Sequence, residues 1–140
     1  MKKISVKDLL AQGHSLMNNV VMETAGILEE AYFVIKIDDL LNERGITQKD
    51  LAQMKGMRVG TISEIVNGKG ISLNKVQLFA IMAALRIKKI DDLYEMRFPD
   101  ELDKSFEKEQ AEWITTKEMP ITVKNMYKQN VLKASGLIDN

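Results

Sequence analysis

At 140 residues the chain has room for one domain, or for a small domain with flanking helical segments, which excludes a large multidomain enzyme. It is 45% hydrophobic and 29% charged, as folded proteins are, and the absence of cysteine excludes disulfides, zinc-thiolate and iron-sulfur sites and a thiol nucleophile. Lys and Arg total 20 and Asp and Glu total 20, so any nucleic acid or anionic surface has to be met by a local patch. No apolar run approaches the roughly 20 residues that span a bilayer, and Met1-Lys2-Lys3 leads into a polar-interrupted pattern. The expectation is a soluble, cytoplasmic chain with no membrane partner.

In chain order, residues 1–31 read as an amphipathic helical segment. Val6, Leu10, Gly13, Met17, Val20, Thr24, Ile27, Ala31 and Val34 recur in alternating steps of four and three, a helical stripe. Gly13, Gly26 and Thr24 weaken it, and Met17-Asn18-Asn19 can hold a break. The stripe has three uses open to it: packing on its own chain, a dimer seam, or a ligand groove. His14 falls in this segment and, with no second histidine, reads as a lone surface residue.

Residues 32–96 carry helix signals at short intervals. Phe33 to Arg44 is apolar-periodic and stops at Gly45. Thr47 is an N-cap with Asp50 three positions on, opening a helix from Gln48 to Met54 that turns Leu51 and Ala52 inward. Gly56 marks a turn. Arg58 to Val66 forms the next helix, with Ile62 and Ile65 inward and Asn67-Gly68 ending it. Ser72 or Asn74 caps a fourth helix to about Leu85, in which Val76, Leu78, Phe79, Ile81, Met82 and Leu85 supply apolar mass, and Asp91 starts a fifth through Tyr94. Pro99 and Pro120 then set off two helices, about 100–118 and 121–135, in residues 97–140. Their stripes, Leu102, Phe106 and Trp113 on one and Val123, Met126, Tyr127, Val131 and Ala134 on the other, are too narrow to be buried alone. Dimerisation is the preferred use, and Met119 and Met126 also suit a surface that re-packs against a regulatory protein or peptide.

Five short helices with a tight turn at Gly56 make an all-α unit containing a helix-turn-helix. The runs Leu41-Asn42-Glu43-Arg44-Gly45-Ile46-Thr47-Gln48-Lys49-Asp50-Leu51-Ala52, Thr61-Ile62-Ser63-Glu64-Ile65 and Asn67-Gly68-Lys69 resemble the helix-turn-helix of Cro and phage-repressor type, the xenobiotic response element family. That resemblance implies a five-helix, lambda-repressor-like domain over about residues 33–95, with double-stranded DNA as its partner and a homodimer as its working form. It implies Thr47 as the cap and Gln48 as a phosphate contact at the start of the second helix. Arg58, Val59, Gly60 and Glu64 fall where the family reads bases, and Thr61, Ser63, Asn67 and Lys69 lie near the backbone.

Charge gives an independent pointer. From residue 44 to residue 75, Arg44, Lys49, Lys55, Arg58, Lys69 and Lys75 stand against Asp50 and Glu64, a net +4 inside a neutral chain. Lys55 joins the candidate DNA contacts through this patch. Arg58 suits guanine O6 and N7, and Val59 a thymine methyl. Arg58, Val59 and Gly60 depart from the small polar residues the family favours, and Val66 stands where the family often has an acid. Glu64 can accept from cytosine N4, yet it repels phosphate, so it marks either selectivity or a surface not used for DNA.

An enzyme is not expected, because no acid-base pair, nucleophile set, metal-ligand cluster or phosphate-loop motif is present, and no cofactor is implied. The pairs Asp38-Asp39 and Asp91-Asp92 read as solvated faces or caps. Two functions stay open: a DNA-binding transcriptional regulator, repression being the expected sign, and an antirepressor or adaptor that keeps the fold without specific DNA affinity.

Overall fold

Three short stretches of β-branched and aromatic residues, well separated in sequence, pair into the element that organises the chain. The computed structural model describes residues 1–13, 17–69 and 74–136; His14, Gly70 and Ser72 lie outside them. Strands β1 (Lys2–Ser5), β2 (Tyr32–Ile35) and β3 (Tyr94–Arg97) form an antiparallel sheet in the order β1-β2-β3, with Ile4 opposite Phe33 and Phe33 opposite Met96. In β2, Tyr32-Phe33-Val34-Ile35 suits a pleated, buried surface. Successive side chains point to opposite faces, and Val34 and Ile35 are both buried, so both faces of β2 are covered. Phe33 stacks on Tyr94 with centroids 5.2 Å apart.

The all-α expectation is thereby corrected: helices dominate, but a sheet ties the chain's first residues to residue 97. The run from Phe33 to Arg44 is a strand followed by a helix, α3 (Ile37–Glu43). Where a fifth helix was expected, one turn at Ile90–Asp92 leads into β3. The unit that follows β2 has four α-helices: α3, α4 (Gln48–Lys55), α5 (Val59–Asn67) and α6 (Lys75–Leu85). Four-residue strands whose partners lie some 30 and 60 residues away leave no local period to detect.

Residues 1–31 do not form one helix. After β1, the chain makes α1 (Val6–Gly13) and α2 (Asn19–Ala25), the latter capped by Asn18, whose side chain accepts from the Val21 N–H. Val6, Gly13, Ala31 and Val34, all members of the stripe, are buried within the chain itself. The main core joins Ile35, Ile37, Leu41, Leu51, Ala52, Ile62, Val66, Leu78, Ile81, Leu85, Ile87 and Leu93. Each large aliphatic side chain there is worth about 1.5–3 kcal/mol of burial. Val66 belongs to this core, while Ile65 is only half-buried against it. Val76 and Phe79, expected inside, are 73% and 58% exposed on α6 because they sit one turn apart on the side away from Leu78 and Ile81.

The last two helices follow the prolines. Pro99 precedes α7 (Asp100–Thr116) and Pro120 precedes α8 (Ile121–Ala134). Neither contains a buried residue. Phe106 meets Phe98 edge-on at 5.2 Å, and α8 rests on α2, where Asn130 donates to Thr24 Oγ1 at 3.0 Å and Lys133 pairs with Glu23. Among the described residues no helix is long and apolar enough to cross a membrane.

Candidate nucleic-acid interface

The geometry of the site begins with a cap. Thr47 has extended backbone, its hydroxyl accepts from the Asp50 N–H at 3.1 Å, and the Asp50 carboxylate accepts from the Thr47 N–H at 3.0 Å. This reciprocal pair satisfies two donors at the start of α4. The hydrogen bond from the Thr47 backbone, and after it the Thr47 hydroxyl, hold the Asp50 carboxyl below its ordinary pKa. The helix ends at Gly56, whose φ of 69° is the left-handed conformation that glycine adopts without strain. Met57 then donates to the Ala52 carbonyl, and the chain re-enters helix at Val59.

Helix α5 is anchored by Ile62 and Val66 and presents Arg58, Val59, Gly60 and Glu64 outward, all four exposed. Arg58 occupies the N-cap position, exposed and with no capping hydrogen bond from its side chain. Around Gly60 nothing lies within 4 Å of where a Cβ would stand. Thr61 and Ser63 are half-buried, and Asn67 donates to the Ser63 carbonyl at 2.9 Å and to its hydroxyl at 3.2 Å. Lys69 is exposed just beyond the helix.

Gly68 has two reasons to be glycine. Its φ is 68°, and a Cβ there would stand 1.9 Å from Ile4 Cδ1 and 2.9 Å from Ile35 Cδ1. Strands β1 and β2 therefore brace the end of α5. Sequence reasoning found the turn but not this close approach, because Ile4 is 64 positions away and β1 was not anticipated.

Other candidates are placed less openly. The Gln48 side chain donates to Asp38 Oδ1 at 3.2 Å, joining α4 to α3. Lys55 has its ammonium shielded from solvent without a hydrogen-bond partner, and burial pulls its pKa down to about 8. Arg44 is engaged elsewhere: its Nε donates to the Leu85 carbonyl at 3.0 Å, and it pairs with Glu43. The open cations of the window are thus Lys49, Arg58, Lys69 and Lys75. Lys49, exposed in the first turn of α4, was counted in the basic patch but not among the candidate contacts. Val66 is buried, so an apolar residue suits the position where the resembled family often has an acid.

On its flank, α5 borders a cavity of about 600 Å³ beneath α1 and α2, where Thr61, Glu64 and Ile65 face Leu10, Met17 and Met22. The N-terminal stripe therefore runs beside α5, with Glu64 at the boundary between the two surfaces.

A capped helix, a left-handed turn and a second helix with an exposed, uncapped, cationic entrance define a helix-turn-helix DNA-binding domain. Residues 36–99 match the family of the Cro/C1-type HTH DNA-binding domain. No curated protein and no solved structure matches the chain. The family match is to the stretch from 36 to 99, and it supports a DNA-binding regulator.

Proposed function

We propose that the chain is a sequence-specific transcriptional regulator that binds a near-palindromic operator as a homodimer and represses by occupancy. The observation that carries this reading is the exposed entrance of α5, where Arg58, Val59, Gly60 and Glu64 stand clear of the chain's own core. In a major groove, Arg58 donates to guanine O6 and N7, Val59 meets a thymine methyl, and Glu64 accepts from cytosine N4. Backbone N–H groups at the start of α4, together with Lys49 and Lys69, hold phosphates and carry the salt dependence of binding. A second copy places a second α5 about one helical turn along the duplex. No bond is made or broken: the protein works by occupying DNA.

An antirepressor or adaptor role is the second reading, favoured by one observation. Glu64 is exposed and has no ion-pair partner among the described residues, so it repels phosphate unless a base amine meets it.

Capture of sheared source-genome DNA at near-physiological salt, followed by sequencing, separates the two. Enrichment of a short two-fold-symmetric site supports the regulator. Failure to enrich any site, with the protein folded, removes the DNA reading and leaves the adaptor.

A further inference from the structure

Helices α7 and α8 span 17 and 14 residues without one buried side chain. Helices in water draw most of their stability from packing an amphipathic face. Here that face is present and only half-covered: a groove of about 720 Å³ runs between the two helices, lined by Leu102, Phe106, Trp113, Val123 and Met126 together with Ile27. Ile114, which also lines it, and Ile121, Tyr127 and Val131 beside it are 52–69% exposed.

Charge identifies the occupant. Helix α7 carries Asp100, Glu101, Asp103, Glu107, Glu109 and Glu112 against Lys104 and Lys108, a net −4. Helix α8 carries Lys124, Lys128 and Lys133 and no acid, a net +3. The two helices do not neutralise each other within the chain. Their polar link is a hydrogen bond from Thr122 to Glu109 at 2.8 Å, and Lys133 turns to Glu23 on α2. Among the described residues, Lys124, Lys128 and all six α7 carboxylates are without an ion pair.

We propose that the α7–α8 hairpin is the homodimer interface, in which two hairpins pack about a two-fold axis so that the acidic α7 of each copy lies against the basic α8 of the other. A two-fold interface requires one surface to complement itself. An acidic helix beside a basic one, flanking an apolar groove, meets that requirement, and the product is a four-helix arrangement that buries both stripes. The inference rests on the homodimer in the proposed function and assigns its surface.

The test is light scattering on the full-length protein over a concentration series, with the emission of Trp113, the single tryptophan, followed in parallel. The expected result is a mass of two 15.9 kDa chains with a blue shift of Trp113 as the dimer forms. Reversing Lys124→Glu and Lys128→Glu together should weaken association about tenfold or more, as reversing close charge pairs across an interface does. Mixing that variant with the Glu107→Lys, Glu112→Lys variant should restore the dimer. Trp113→Ala, with its helix content checked by circular dichroism, should dissociate the dimer without any change of charge. One-chain mass at every concentration overturns the proposal, as does a dimer indifferent to both the lysine reversal and Trp113→Ala. Operator binding is read separately: a monomer that still binds a captured operator overturns the hairpin interface alone, whereas an intact dimer that captures no DNA overturns the DNA reading alone.

Discussion

The helix-turn-helix unit and the α7–α8 hairpin are both helical, yet they are held in opposite ways. The first gathers Leu41, Leu51, Ile62, Val66, Leu78, Ile81 and Leu93 into a core with each of these at most 5% exposed. The second has no residue in any core and leaves Trp113, Ile114, Ile121, Tyr127 and Val131 open. One region is stable through contacts within the chain, and the other presents its apolar face outward. Where a helix is amphipathic but unburied, its sequence describes an interface rather than a core.

The largest expected effect breaks this contrast at its strongest point. Leu51→Ala opens a cavity between α4 and its neighbours and should cost about 2–5 kcal/mol of unfolding free energy, measured by chemical denaturation. Trp113→Ala should leave the unfolding of the helix-turn-helix unit nearly unchanged at concentrations where the chain is monomeric. Equal losses from the two substitutions would abolish the distinction.

Gly68→Ala probes the join between the sheet and α5. The left-handed backbone costs a side chain about 1–2 kcal/mol, and the new methyl meets Ile4 and Ile35. A melting temperature within error of the parent would remove β1 and β2 as the brace of α5. The smallest effect sharpens the comparison within α5 itself. Gly60 has ordinary helical backbone and open space around it, so Gly60→Ala should stabilise the unit by about 0.5–1 kcal/mol. If Gly60 lies against DNA, the same change weakens operator binding while the protein becomes more stable, a split that denaturation and binding titration resolve together.

What could be read from sequence follows the range of the interactions involved. Thr47 with Asp50, Gly56 and Asn67-Gly68 are local signals, acting within four residues of one another, and the structure places a capping box and two left-handed turns there. Pro99 and Pro120 mark the starts of α7 and α8 for the same reason. The sheet was missed because its pairings are long-range: Lys2 with Ile35, and Tyr32 with Arg97. Tyr32-Phe33-Val34-Ile35 also runs into Ile37, Leu40 and Leu41 in a spacing that suits a helix, so only the β-branched and aromatic content pointed to a strand.

For the site, the exposed positions of α5 could be placed from the motif, but the state of each side chain could not. The engagement of Gln48 with Asp38, of Arg44 with Leu85 and Glu43, and the shielding of Lys55 depend on neighbours in space. A count of +4 therefore overstated the charge free to meet DNA. Val76 and Phe79 read as core in the sequence because α6 is apolar on nearly every side, which removes the contrast between faces that would tell them apart from Leu78 and Ile81.

The most direct test of base reading by α5 is equilibrium binding of the parent and Arg58→Ala proteins to a captured operator and to its full set of single-base variants at one salt concentration. Arg58→Ala should lose about 5- to 150-fold of discrimination at one position in each half-site, equivalent to about 1–3 kcal/mol, and keep its preferences elsewhere. A uniform loss across all variants would make Arg58 a phosphate contact, and unchanged preferences at every position would contradict base reading by the entrance of α5.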